Sequence, residues 1–115
     1  MQNRIIRKLI EFIDQLFEIE KKTQRLNEQN SINRNILKIQ NTLEEFFYEE
    51  GGLIYHNPMG EAYNENRTDL EASIAGISTD NLVVIEVIKP IIRSKNGTIT
   101  QIVRKGVVVV ESKKD

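Results

Sequence analysis

The chain contains no cysteine, a single histidine and two prolines. Without cysteine there are no disulfides, no thiolate metal ligands and no cysteine nucleophile. One histidine, His56, excludes a metal site built from several imidazoles. No apolar run approaches the roughly 20 residues that cross a bilayer, so neither a membrane span nor a membrane partner is expected. The first residues interleave Arg4, Arg7, Lys8 and Glu11 with apolar side chains and lack the continuous apolar core of a secretion signal. A cytoplasmic location is the expectation. A phosphate-cradling glycine loop, a nucleophile elbow and a paired-histidine motif are all missing. Lys and Arg number 16 against 17 Asp and Glu, for a net charge of -1. That balance argues against nucleic-acid binding through bulk charge.

What is present is enough for one domain, or a small domain with a helical extension: 115 residues, 39% of them hydrophobic. Charge is uneven along the chain. Residues 51–80 are net -4 and residues 81–115 net +4.

Residues 1–50 contain neither proline nor glycine and read as helix. Ile6, Leu9, Ile13 and Leu16 recur at spacings of three and four, one helical face. Ile5, Phe12 and Ile19 widen it on one flank. A second run, Ile32, Ile36, Ile39, Leu43 and Phe46, is out of phase with the first, which at about 100° per residue puts it near the opposite side of one straight helix. Asn27 to Ser31 is rich in turn formers, and Asn30 or Ser31 suits a cap. Two helices joined by a short turn are expected; one long helix whose stripe changes partner is the alternative. Gly51-Gly52 ends the helical part.

Beyond it the pattern changes to short Val- and Ile-rich runs, at 53–55, 82–93 and 98–111. Asn96-Gly97 is a hairpin signal, Gly106 marks a bulge or break, and Pro90 belongs at an edge or bulge. Thr68-Asp69-Leu70-Glu71 fits a capping box, so residues 68–75 read as a short helix or a strand. The expected class is α+β: a helical hairpin over residues 1–51, then a small β-domain over residues 52–115.

Glu44, Glu45, Glu49, Glu50, Glu61, Glu65, Asp69 and Glu71 supply carboxylates that could serve as acid and base. They read as a solvated acidic face, and His56 as a surface or hydrogen-bonding histidine. No enzyme, metal or cofactor is expected. The hairpin's wide apolar face cannot cover itself. A homodimer forming a four-helix bundle through Ile6, Leu9, Ile13, Leu16, Ile36, Ile39, Leu43 and Phe46 would cover it. Each such side chain, fully buried, contributes roughly 1.5–3 kcal/mol. The alternative is that the β part folds over the same face.

Three segments carry a family resemblance. Leu9-Ile10-Glu11-Phe12-Ile13-Asp14-Gln15-Leu16 looks like a bundle helix, and Gly60-Glu61-Ala62-Tyr63-Asn64 like the approach to a β-domain. Glu86-Val87-Ile88-Lys89 with Val103-Arg104-Lys105-Gly106-Val107-Val108-Val109-Val110 looks like its hairpin and final strand. In this order they resemble GrpE, the nucleotide exchange factor of DnaK-type chaperones, as a diverged form lacking the long N-terminal helix. The resemblance implies a homodimeric co-chaperone in protein folding and the stress response. It implies that Ile88, Lys89, Gln101 and Arg104 face the chaperone's nucleotide-binding domain and promote ADP release. Gln101 stands where the family often has the first of two arginines. A non-exchanging adaptor, or a dimerisation module of the same fold, is the alternative.

Overall fold

The computed structural model describes residues 3–24, 31–46, 52–96 and 98–113. Among the described residues two helices come first, α1 (Asn3–Gln24) and α2 (Ser31–Phe46). Seven strands follow: β1 (Gly52–His56), β2 (Ala62–Tyr63), β3 (Leu70–Ala75), β4 (Leu82–Lys89), β5 (Ile91–Asn96), β6 (Ile99–Arg104) and β7 (Gly106–Ser112). The protein is thus α+β, with two helices ahead of a β-rich part. Among the described residues no helix is long and apolar enough to cross a membrane.

The chain forms two compact units. One comprises Met1–Ile54 with Ser94–Gln101, the other Tyr55–Arg93 with Ile102–Asp115. In the first unit α1 and α2 touch. The Gln40 amide donates to the Glu20 carboxylate at 2.8 Å. Glu20 is near the end of α1, and Gln40 is well along α2. The chain therefore doubles back between the helices, and the single straight helix is excluded. The expected turn residues 27–30 lie outside the described residues, as does Gly51; Gly52 already opens β1. Ile13, Leu16 and Phe17 of α1 and Ile36 of α2 are buried. Spacings of three and four bring the α1 set to one side. Lys21 lies over the Phe17 ring, 5.2 Å from its centre, and pairs with Glu18.

The strands form a three-stranded sheet of order β1-β5-β6 and a four-stranded sheet of order β2-β4-β7-β3. The apolar run 82–93 is cut at Pro90 into β4 and β5, and the run 98–111 is cut at Lys105 into β6 and β7. At each cut the chain changes sheet. Proline suits such a corner because it has no N–H to leave unpaired there. Pro90 itself is buried. Residues 70–75 are strand, paired parallel with β7 from Leu70↔Gly106 to Ala75↔Glu111. The capping-box pattern at Thr68–Glu71 starts no helix, because residues 70–75 pair with β7 instead. Central β7 alternates fully buried Val108 and Val110 with half-buried Val107 and Val109.

Strand β4 does not alternate simply. Its register against β7 shifts between Val84 and Glu86 and again between Val87 and Lys89. Ile85 and Ile88 are the extra residues of two bulges. A regular strand would turn Val87 away from the side that Val84 faces. The first bulge turns it back, and both valines are buried. The consequence is that Ile85 and Ile88 stay exposed, at 40% and 44%.

Candidate functional site

The second bulge positions two of the residues that the family resemblance implies. Ile88 and Lys89 project as exposed side chains at the end of β4, immediately before the Pro90 corner. Arg104, at the end of β6, is half-buried, and its Nη2 donates to the Pro90 carbonyl at 2.7 Å. Three of the four expected partner residues, Ile88, Lys89 and Arg104, thus meet at one corner of the second unit. Gln101 is exposed and belongs to the first unit. An apolar knob beside two cations, one of them anchored, can grip an acidic surface that also offers an apolar contact.

The expected dimer face is sorted by burial. Ile13, Leu16 and Ile36 are buried within the chain itself. Ile6, Leu9 and Leu43 are half-buried, and Ile39 is exposed. Phe46 closes α2, and its side chain lies outside the described residues. The flanking positions Ile5, Phe12 and Ile19 on α1 are about half exposed, and on α2 Leu37 and Ile32 are exposed too. Ile5, Phe12 and Ile19 are seven residues apart, as are Ile32 and Ile39.

A second constellation lies in the same unit as the corner. Arg67 forks onto Asp69 through Nε and Nη2, both at 3.0 Å. Its Nη1 reaches Glu61 at 3.1 Å and the Ala62 carbonyl at 3.0 Å. Arg93 donates to Asp69 at 2.8 Å, and His56 Nε2 bonds Glu61. The hydrogen bond from Arg67 holds the Asp69 carboxyl below the usual range despite partial burial, and the Arg93 charge adds to this. At Glu61 burial opposes ionisation, but the hydrogen bond and charge of His56, with Arg67, still lower its pKa. The bond to Asp69 pushes Arg67 upward.

Glu61 and Asp69 are therefore not members of a solvated acidic face; each is held by arginine. Glu65 and Glu71 are exposed, as expected, while the side chains of Glu44, Glu45, Glu49 and Glu50 lie outside the described residues. His56 does hydrogen-bond, as expected, to Glu61. The sequence reading overlooked Arg67 and Arg93. The Arg67-x-Asp69 spacing was the available signal for the first. Nothing local announces Arg93, which is 24 residues from Asp69. Chemically the cluster braces the loops around β2 and β3, since each strong acceptor faces a cation. Among the described residues no group of three or more acidic, His or Cys side chains is placed to hold a metal ion. Comparison of the chain with protein-family models, curated proteins and solved structures finds no match.

Proposed function

We propose that this protein is a GrpE-like co-chaperone, a homodimer that binds the nucleotide-binding domain of a DnaK-type chaperone and promotes ADP release. The observation that carries this reading is the corner at Pro90, where Ile88, Lys89 and Arg104 stand together on a β unit that follows a helical hairpin. The net +4 of residues 81–115 suits an acidic partner surface. The mechanism involves no covalent step. Such a factor must bind the open nucleotide cleft more tightly than the closed one, because equal affinity shifts nothing. By linkage, bound nucleotide weakens the factor's own binding. In this reading the chain is not an enzyme, needs no cofactor and works in the cytoplasm.

The test is release of fluorescent ADP from a DnaK-type chaperone. Saturating protein accelerates release, and Arg104→Glu abolishes the acceleration. Unchanged release with a competent chaperone overturns the proposal. A second reading, an adaptor that binds without exchange, is favoured by Gln101 standing where the resemblance expects arginine. It predicts co-elution with the chaperone and unaltered ADP release.

A further inference from the structure

The outer strand β3 is left unused by the chaperone reading. It pairs on one side, with β7, and ends the four-stranded sheet. The Gly106 N–H donates to the Asp69 carbonyl at 2.9 Å, which sets the phase of the ladder. Backbone groups alternate sides along a strand. Glu71, Ser73 and Ala75 therefore bond toward β7, like Asp69, and Leu70, Ala72 and Ile74 turn their N–H and C=O groups outward. Sheet edges are ordinarily blunted by lysine, proline, a bulge or shortness. Strand β3 has no lysine or proline, is six residues long, and keeps one register with β7 throughout. The opposite edge, β2, is two residues long.

The surroundings of this edge suit a particular ligand. An open groove of about 880 Å³ runs from Ala72 and Ile74 of β3 to Tyr63 of β2, the far edge of the sheet. A smaller recess of about 590 Å³ lies where β3 ends, and Glu111 lines it. Ile74 is 46% exposed, and Ile77 is wholly exposed. Glu71 on β3 and Glu111 on β7 share the other face and form no ion pair among the described residues.

We propose that β3 is a docking edge for an extended peptide of another protein, with basic and apolar side chains in alternation, which adds to the sheet as a fifth strand. Its backbone pairs with Leu70, Ala72 and Ile74, which supplies affinity, and its side chains supply specificity. The apolar ones lie over Ala72 and Ile74, and the basic ones, on the opposite face, meet Glu71 and Glu111. A second copy is the poorer occupant, because β3 against β3 sets the same acidic rim on itself, and facing like charges destabilise. This proposal stands apart from the chaperone reading, since Ile88, Lys89 and Arg104 line neither recess.

The test uses isotope-labelled full-length protein and a capped heptapeptide, Lys-Val-Lys-Val-Lys-Val-Thr, followed by amide NMR. The expected result is saturable shifts over residues 70–75, with half-saturation below roughly 1 mM, and slowed hydrogen exchange at Leu70, Ala72 and Ile74. Methylating alternate peptide nitrogens weakens binding at least tenfold and leaves the protein untouched. Combining Glu71→Lys with Glu111→Lys does the same from the protein side. The proposal is overturned by absent shifts at β3, by equal binding of the methylated peptide, or by equal binding of a Glu-Val counterpart. It is also overturned if the protein alone protects those amides in a concentration-dependent way, which would seat a second copy there.

Discussion

Arg67 connects two acids that the sequence places eight residues apart, and Asp69 in turn connects two arginines. Hydrogen bonds to charged partners contribute about 1.5–3 kcal/mol each when solvent is partly excluded. The Asp69 side chain is 14% exposed. Asp69→Asn therefore lowers folding stability by about 2 kcal/mol, read from urea unfolding at neutral pH. The pH dependence follows from the sign of the shifts. Both carboxyls titrate lower when folded than their ordinary values of 3.8 for Asp69 and 4.5 for Glu61. Their contribution is fully present above those ordinary values and is lost as pH falls through the depressed folded ones. Unfolding free energy should be insensitive to these two groups near neutrality and fall below about pH 4. In Asp69→Asn that acid limb becomes shallower. An equally steep limb in the variant would mean that Asp69 does not contribute to it.

Among the elements, β4 and β7 show what packing adds to pattern. Four consecutive valines suit a central strand covered on both faces, and the residues flanking β7 are matched to its neighbours. Gly106 opens that strand where space is shortest. A Cβ there would stand 2.8 Å from Ile91 Cγ1, 3.0 Å from Leu70 Cδ2 and 3.3 Å from the Ile91 backbone nitrogen. The backbone cannot move aside as a flexible side chain can. Gly106→Ala is expected to destabilise by roughly 1–3 kcal/mol through overpacking, measured by thermal or urea unfolding. An unchanged midpoint would show that Ile91 and Leu70 relax freely. The bulges of β4 carry the opposite lesson. They keep Val84 and Val87 inside together while leaving Ile85 and Ile88 outside, so a stabilising requirement and an exposed apolar pair come from the same two insertions.

For the whole molecule the question is assembly. The flanking positions Ile5, Phe12 and Ile19 repeat every seven residues along a helix of 22 residues, about 33 Å of length. A heptad repeat of exposed apolar side chains is the spacing that packs against another helix. Under the proposed homodimer, sedimentation equilibrium at micromolar concentration gives about twice the 13.3 kDa chain mass. Combining Phe12→Glu with Ile19→Glu returns it to one chain mass and leaves the helical circular dichroism in place. A single 13.3 kDa species for the unaltered chain would remove the dimer. The exchange activity and the β3 docking edge are tested separately, so each can fail without the others.

Much of this architecture was legible along the chain because it depends on local periodicity. The three-four spacing of Ile6 to Leu16, the change of phase before Ile32 and the Val-rich tail each report a short-range preference of the backbone for helix or strand. Proline at position 90 announced an interruption, an edge or bulge, by its missing N–H; that the interruption is a change of sheet came only with the tertiary structure. Position 70–75 was ambiguous because a capping box and an alternating strand share the same few residues; pairing with β7, more than 30 residues away, decided it. The double bulge of β4, the parallel register of β3 and the Arg93–Asp69 pair belong to tertiary structure alone. Each depends on which distant segment arrives alongside, and no residue's own propensity encodes its partner's position.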